Sequence, residues 1–170
     1  MRRALPEDLP RLHALELAIL RDGRGQVTTA EAADDVGAYA RRIERYFGSP
    51  DAAMLVVEDG DAIVASATVR RYEPALTRHV AALSLGVHPA AQRRGHGRAL
   101  LRGVCAIARD ELAVTRLELF MRADNARAKA LYESEGFEVE GARRRFVRLA
   151  DGTEVDDLIL VRFFDAPQRR

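Results

Sequence analysis

The chain has 170 residues, a formal net charge of +1 and a single cysteine. Its composition, 48% hydrophobic and 31% charged, is that of a globular protein, and the length suits one compact domain. The small net charge argues against a dedicated nucleic-acid binder, which carries a strong basic excess. Cys105 has no partner for an internal disulfide, and no apolar run approaches the ~20 residues of a membrane span. We therefore expect a cytoplasmic protein without nucleic-acid or membrane partners.

The first fifty residues predict two helices. Asp8 is the candidate N-cap of the first helix, and an apolar stripe follows at Leu12, Leu15, Ile19 and Leu20. Thr28 and Glu31 have the spacing of a capping box before the second helix. Apolar residues then recur at steps of three and four positions until Gly48 and Pro50 end the pattern.

The rest of the chain alternates between strand and helix patterns. Three strands are expected in AAMLVVE, AIVASATVRRY and RHVAALSLGVH, and Asp59-Gly60-Asp61 is the turn between the first two. A helix after Gly95 and Gly97 leads to the strand VTRLELFM and to a short helix in NARAKALYESEG, for which Asn125 or Asp124 is the cap. Two final strands flank a hairpin turn at residues 150–152. This order predicts a mixed α/β domain with one strand–helix–strand crossover.

The segment VHPAAQRRGHGRALL, residues 87–101, places two glycines and several arginines where a strand gives way to a helix. Glycine permits a positive φ and a close approach of a ligand to the backbone. A helix that begins there presents unpaired N–H groups and the positive end of its dipole. The arginines add positive charge, so the segment is a candidate site for a phosphorylated ligand. The alternative is a tight turn with arginines on the surface.

Two phosphate-binding motifs do not fit this segment. The pattern G-x-x-x-x-G-K-[ST] is absent, which argues against a P-loop nucleotidase. The sequence from Gly95 to Leu100 begins like G-x-G-x-x-G but ends in leucine, and it lies in mid-chain without the first βαβ unit of a dinucleotide fold.

A third motif fits well. Gln92-x-x-Gly95-x-Gly97 resembles the loop that binds the pyrophosphate of acetyl-CoA in the GNAT superfamily of N-acetyltransferases. Further along, Asn125, Ala128, Leu131-Tyr132 and Gly136-Phe137 resemble that family's signature N-x-x-A-x-x-L-Y-x-x-x-G-F. The resemblance covers about residues 52–163 of a single domain spanning 1–170, with 164–170 as a tail.

The resemblance implies both a fold and an activity. The fold would be an α/β domain whose mixed sheet has a central splayed strand pair and flanking helices. The activity would be direct transfer of an acetyl group from acetyl-CoA, without a metal, to a primary amine. The acceptor would be a small molecule, such as an amino acid, or a protein N-terminus. The closing segment is most similar to members that acylate free amino acids and small amines, and dimers common in the family imply a homodimer.

The resemblance also implies the residues of the site. Backbone amides of residues 93–98 would hold the pyrophosphate, and the strand at Leu85–Val87 would splay open, with Gly86 in a bulge. Tyr132 would be the general acid for the departing thiolate, and its alternative is a core residue of a short helix. Arg127 or Lys129 could reach a phosphate, and solvated positions on the helix are the alternative for both. The full set of expected cofactor contacts is Leu85, Val87, Gln92, Arg93, Arg94, Gly95, His96, Gly97, Arg98, Asn125, Lys129 and Tyr132.

The general base is where the sequence departs from many family members, which carry a glutamate on the strand before the loop. Here that strand has no acid. His79, Glu118, Asp156, Asp157 and ordered water remain alternatives, and no base is assigned. The missing glutamate favours a second hypothesis, a non-catalytic module that binds CoA or regulates, whereas the intact Asn125 and Tyr132 favour the enzyme.

Overall fold

The computed structural model describes residues 1–24 and 27–165. Within these residues the chain forms four α-helices and one sheet of seven strands. The strand and helix order expected from the sequence is confirmed, with one further strand at the N-terminus. Residues 166–170 of the expected tail lie outside the described residues.

The elements have the following bounds. The helices are α1 Leu9–Asp22, α2 Val36–Ile43, α3 His96–Ala106 and α4 Ala126–Ser134. A π-helical turn at Ile107–Glu111 continues α3. The strands are β1 Arg2–Arg3, β2 Ala52–Asp59, β3 Ala62–Arg71, β4 Val80–Val87, β5 Arg116–Arg122, β6 Glu138–Arg148 and β7 Glu154–Phe163.

The sheet has the order β1-β2-β3-β4-β5-β7-β6 and is antiparallel except where β4 pairs with β5. The helix α3 makes the crossover between these two parallel strands. Their pairing joins Val80–Ala82 to residues 116–118 and goes no further, although both strands continue. The two strands therefore separate at their carboxyl ends, which confirms the splayed pair and leaves a gap in the middle of the sheet.

Two apolar clusters cover the two faces of the sheet. One joins α3, Tyr132 and Phe137 to the face of β2–β5 that includes Leu55 and Val69. The other joins α1 and α2 to the opposite face, where Met54 and Val56 lie. Neighbouring residues of β2 belong to different clusters because successive side chains of a strand point to opposite faces.

The side chain of Asp8 does not cap α1, contrary to the expectation from sequence. It is fully buried, and its carboxylate accepts hydrogen bonds from Arg2 at 2.6 and 2.8 Å and from the Leu5 N–H at 2.8 Å. Arg11 is a further partner. The reason is the additional strand β1, which pairs with β2 and brings Arg2 over the start of α1. A strand of two residues is too short to show a period in the sequence.

The cap of α2 is Asp35, so the expected capping box at Thr28 and Glu31 is wrong. The Asp35 carboxylate accepts hydrogen bonds from the N–H groups of Gly37 at 2.8 Å and Ala38 at 3.0 Å. Glu31 begins a separate 3₁₀ turn that ends before α2. The helix is shorter than predicted, because a 3₁₀ turn at Glu44–Tyr46 replaces its last turn.

The expected bulge at Gly86 is also wrong. The register between β3 and β4 is continuous, and Gly86 lies opposite Ser66. A Cβ atom at position 86 would lie 2.7 Å from the Cδ1 of Ile19. The glycine therefore lets α1 pack directly on β4, a close approach that no local pattern announces.

Candidate active site

A cavity of about 750 Å³ lies at the gap between β4 and β5. Its walls come from the end of β4, the loop that follows, the first turn of α3, the end of β5 and one side of α4. Ten of the expected cofactor contacts line it: Leu85, Val87, Gln92, Arg93, Gly95, His96, Gly97, Arg98, Asn125 and Tyr132. The two motifs, far apart in sequence, thus share one cavity.

The backbone of β4 offers hydrogen-bonding groups to this cavity. The His88 N–H donates to the Val64 carbonyl of β3 at 2.8 Å. Because backbone groups in an antiparallel ladder alternate in direction, those of Leu85 and Val87 point to the other side, toward the gap. Strand β5 does not pair with them there. The Val87 carbonyl accepts a hydrogen bond from Gln92 Nε2 at 3.3 Å, and the two N–H groups face the gap.

The loop after β4 ends in a helix start without a side-chain cap. Gly95 has φ +85° and precedes α3, and no side chain caps the helix. Ala99 is the first residue whose N–H bonds back into the helix, to the Gly95 carbonyl at 3.0 Å. The N–H groups of His96, Gly97 and Arg98 therefore have no helical acceptor, and the positive end of the helix dipole is at the cavity. This arrangement suits an anion such as a phosphate.

The expected basic contacts divide into two groups. Arg93 and Arg98 line the cavity, as does Arg127. Arg94 is outside the lining and contacts Asp59, at 3.5 Å, on the surface. Lys129 is also outside the lining and pairs with Glu133 one turn later in α4.

Asn125 has a structural function that is visible in the fold. Its side-chain oxygen accepts a hydrogen bond from the Ala128 N–H at 3.1 Å and so caps α4. The residue also lines the cavity. Its amide nitrogen makes no hydrogen bond within the described chain, so this donor remains for a ligand.

Tyr132 brings a phenol to the cavity. The side chain is 7% exposed and packs edge-on against Phe137, with 5.8 Å between ring centres. Its hydroxyl has no hydrogen-bond partner among residues 1–24 and 27–165. Burial raises the pKa of Tyr132 to about 12, so the phenol stays protonated at neutral pH and can donate a proton.

The residues considered as bases lie away from the cavity lining. Glu118 accepts hydrogen bonds from the Tyr72 hydroxyl at 2.5 Å and from Arg116 at 2.9 Å. Asp157 is buried and paired with Arg143. Asp156 accepts a hydrogen bond from the Arg145 N–H at 2.7 Å, and His79 is exposed at the start of β4. These contacts give each carboxylate a structural partner.

Sequence analysis missed the part of the lining that comes from α1. Ile19, Asp22 and Arg24 close the cavity on the side opposite α3, beside Ser84 and Phe120. The pKa of Asp22 is lowered by its hydrogen bonds with Arg24. The stripe in α1 indicated that Ile19 faces the protein, but no sequence signal connected the end of α1 with β4.

No helix in 1–24 or 27–165 is long and apolar enough to cross a membrane. The same residues contain no group of three His, Cys, Asp or Glu side chains that could hold a metal ion.

Comparisons with known proteins agree with this geometry. The mycothiol acetyltransferase of Beutenbergia cavernae is 39% identical over 97 residues, which are 57% of this chain and 31% of that protein. The N-alpha-acetyltransferase RimI of Mycobacterium tuberculosis is 48% identical over 67 residues, 39% of this chain and 40% of that protein. The chain thus spans less than half the length of these two relatives.

Longer matches come from a third relative and a solved structure. The L-amino acid N-acetyltransferase AaaT of Escherichia coli is 32% identical over 120 residues, 70% of this chain and 73% of that protein. The crystal structure of a GNAT-family acetyltransferase from Streptococcus pneumoniae superposes with a TM-score of 0.84 at 18% identity and covers 96% of this chain and 98% of that one. Residues 13–137 match the profile of the acetyltransferase (GNAT) family. The chain belongs to the GNAT acetyltransferase family.

Proposed function

We propose that the protein transfers the acetyl group of acetyl-CoA directly to a primary amine, either of a small molecule such as an amino acid or of a protein N-terminus. The observation that carries the proposal is the single cavity at the gap between β4 and β5. It combines an anion site at the start of α3, free N–H groups on β4 and the phenol of Tyr132. Membership of the GNAT family supports the same activity.

The two ends of the donor would bind to different groups. The N–H groups of residues 96–98, with the charges of Arg93 and Arg98, suit the pyrophosphate. The N–H groups of Leu85 and Val87 suit the amide-rich arm, which would lie in the gap as an additional strand. The Asn125 amide also lines the cavity and can contact the same arm.

The donor supplies a thioester carbonyl that a neutral amine attacks, so that a C–N bond forms and the C–S bond breaks. A β4 N–H, at Leu85 or Val87, would stabilise the negative charge that develops on the carbonyl oxygen. Tyr132 would give its proton to the departing sulfur and regain one from the amine through solvent. The net products from the neutral amine are an amide and the free thiol.

The assay measures thiol release from acetyl-CoA with a panel of amino acids, polyamines and peptides. The proposal predicts release that depends on one class of amine and the matching acetylated product by mass spectrometry. Calorimetry with acetyl-CoA runs in parallel. Binding of acetyl-CoA without turnover of any amine would contradict the enzyme and support a module that only binds CoA.

A further inference from the structure

The end of α4 carries an acidic residue whose side chain is buried against α3. Glu135 follows the last residue of α4, and Gly136, with φ +83°, turns the chain away after it. The Glu135 side chain is 8% exposed. Arg98 and Arg102 lie one turn apart on the same side of α3, and both contact its carboxylate. Glu135 therefore joins α3 to the end of α4 next to the proposed anion site.

The two arginines that contact Glu135 have different surroundings. Arg102 donates a hydrogen bond from Nε to Glu135 Oε2 at 2.9 Å, and it lies outside the cavity lining. Arg98 lines the cavity. Its Nη2 donates to the Ser134 hydroxyl at 3.1 Å, and its Nε lies 3.3 Å from Glu135 Oε1. Glu135 thus has one partner that lines the cavity and one that does not.

One oxygen of the Glu135 carboxylate is buried without a hydrogen bond. Oε1 is closed off from solvent and accepts no hydrogen bond from the described residues, although Arg98 Nε is close to it. Buried polar atoms are normally hydrogen-bonded, because an unpaired one is unfavourable. The hydrogen bond from Arg102 and the charges of Arg98 and Arg162 lower the pKa of Glu135, so the carboxylate is ionised at neutral pH. A small movement of Arg98 is enough to form a charge-assisted hydrogen bond with this oxygen.

Arg98 keeps hydrogen-bond donors for a ligand. A guanidinium carries several N–H donors in one plane, and Arg98 uses Nη2 on Ser134 and directs Nε at Glu135. Its other N–H groups make no hydrogen bond within residues 1–24 and 27–165. An arginine that is fixed at one edge presents its other edge in a defined orientation, which suits a phosphate. Without Glu135, this half-exposed side chain would keep only the contact with Ser134.

We propose that Glu135 is a positioning residue for the cofactor: it holds the Arg98 guanidinium at the start of α3, so that the free edge of the guanidinium binds the pyrophosphate of acetyl-CoA. The inference rests on the proposed function, which places the pyrophosphate at the N–H groups of residues 96–98. Glu135 does not line the cavity and acts on the ligand only through Arg98. Its negative charge by itself would repel a phosphate, so a positioning effect and a charge effect have opposite signs.

The test measures the affinities of CoA, dephospho-CoA and pantetheine by calorimetry in matched variants. Glu135→Gln keeps the size and removes the charge. Arg98→Ala removes the positioned arginine, and the double variant shows whether the two residues act together. Arg102→Ala is the control, because it breaks the other contact of Glu135, away from the cavity. Ser134→Ala removes the second anchor of Arg98 and leaves the buried carboxylate unchanged.

We expect Glu135→Gln to weaken CoA and dephospho-CoA about fivefold and to leave pantetheine, which has no phosphate, unchanged. Arg98→Ala should weaken the same two ligands about tenfold or more, and the double variant should show no further loss. Ser134→Ala should weaken them by less than Glu135→Gln does, and Arg102→Ala should bind all three ligands normally. In steady-state kinetics, Glu135→Gln should raise the KM for acetyl-CoA and leave kcat within about twofold of wild type.

Equal or tighter binding of CoA by Glu135→Gln would overturn the inference, because the carboxylate would then act by its charge or not at all. Equal losses in Arg102→Ala and Glu135→Gln would overturn it too, since Glu135 would then only link two helices. So would additive losses in the double variant, or a loss for CoA that dephospho-CoA does not share. In each of these cases wild type still binds CoA, and the proposed function stands.

Two further outcomes separate the inference from the proposed function. The expected pattern of affinities without turnover of any amine would support the inference and contradict the proposed activity. Failure of wild type to bind CoA would overturn both.

Discussion

The hydroxyl of Tyr132 is held at the cavity by packing rather than by hydrogen bonds. Phe137 fixes the ring, and the hydroxyl makes no bond within residues 1–24 and 27–165. A structural tyrosine normally bonds its hydroxyl when buried. An unpartnered hydroxyl beside a cavity is therefore the state expected of a group that acts on a ligand.

Replacing Tyr132 by phenylalanine tests this assignment. The change keeps the ring and removes the proton donor, so we expect kcat to fall by roughly tenfold to several hundredfold. Acetyl-CoA affinity and the melting temperature should change little, because no protein hydrogen bond is lost. Steady-state kinetics, calorimetry and thermal unfolding measure the three quantities.

The matched control is Tyr72→Phe, which removes a hydroxyl bonded to Glu118 away from the cavity. It should lower the melting temperature and leave kcat nearly unchanged. Wild-type kcat in Tyr132→Phe would contradict the general-acid assignment without affecting the cofactor site.

Asp8 has a structural function at the residue scale. Hydrogen bonds from Arg2, then from the Leu5 N–H and Arg11, lower the pKa of this buried carboxyl. A lowered pKa means that its stabilising effect is present above the ordinary value near 4 and is lost as the pH falls below it.

Asp8→Asn should therefore destabilise the protein by about 3 kcal/mol at pH 7, since Arg2 and Arg11 lose a buried partner. The difference from wild type should shrink as the pH falls from 4 toward 2. Urea unfolding at several pH values measures both effects. Asp61→Asn, at an exposed turn, is the control and should change stability little. A constant difference down to pH 2 would contradict the ion-pair account.

The start of α3 shows why an element needs a particular backbone. Gly95 has φ +85°, and no atom lies within 4 Å of the position that a Cβ would occupy. Glycine is therefore needed here for the positive φ and not to avoid a steric clash. Gly152, in the β6–β7 hairpin, has the same φ of +85° and the same open surroundings. Gly95 adjoins the cavity at the start of α3, whereas Gly152 does not line that cavity.

Alanine at either position should cost about 1 kcal/mol of stability, because a Cβ disfavours positive φ. Gly95→Ala should in addition weaken acetyl-CoA by about tenfold, since strain at the helix start moves the N–H groups of residues 96–98. Gly152→Ala should bind normally. Calorimetry with acetyl-CoA on both variants separates the effect of backbone strain from the effect on binding. Equal acetyl-CoA affinities of the two variants would contradict a role of this loop in binding the cofactor.

The arginines before α3 can be tested as a pair. Arg93 lines the cavity, whereas its neighbour Arg94 contacts Asp59 outside the lining. Arg93→Ala should weaken CoA more than it weakens dephosphorylated pantetheine, because its charge acts on phosphate. Arg94→Ala should have the smaller effect of the two. Equal losses for CoA and pantetheine in Arg93→Ala would mean that this arginine is only part of the surface.

At the scale of elements, the sequence predicted the helices and strands that are encoded by a local pattern of apolar residues. Alternating and helical patterns located β2–β7 and all four helices, and Asn125 caps α4 as expected. The errors have a physical reason as well. Asp8 and Asp35 are acids at the starts of two different helices, and only Asp35 caps its helix with its side chain. Asp8 is bound instead by Arg2 of β1, and the cap of α2 moves to Asp35 because a separate turn precedes that helix.

At the scale of the whole molecule, buried tyrosines lower stability at high pH, together with the buried Cys105 thiol, whose pKa is also raised by burial. Lys129 is the sole lysine, and arginine does not lose its charge below pH 12. Burial raises the pKa of Tyr132 to about 12 and that of Tyr72 to about 12, and it raises the pKa of Tyr39 as well. An unfolded tyrosine ionises near pH 10.

The folded state therefore keeps phenol protons that the unfolded state loses, so the stabilising contribution of the tyrosines is complete below pH 10 and is lost as the pH rises toward 12. Tyr132→Phe removes one such group. Between pH 10 and 12, the free energy of unfolding of this variant should fall less steeply than that of wild type. The difference between the two slopes should be about 1.4 kcal/mol per pH unit. Urea unfolding at pH 8, 10 and 11 measures the slopes, and identical slopes would contradict the burial of Tyr132.

The sequence by itself determined the order of the strands and helices, the glycine turn before α3 and the family resemblance, because each depends on residues close together in the chain. Only the tertiary structure decided where the cavity lies. The gap exists because β4 and β5 stop pairing after Ala82. The N-terminal helix packs directly on β4 because Gly86 leaves room for Ile19. These contacts join distant segments of the chain, and side-chain packing across the sheet, which no local pattern encodes, is what selects them.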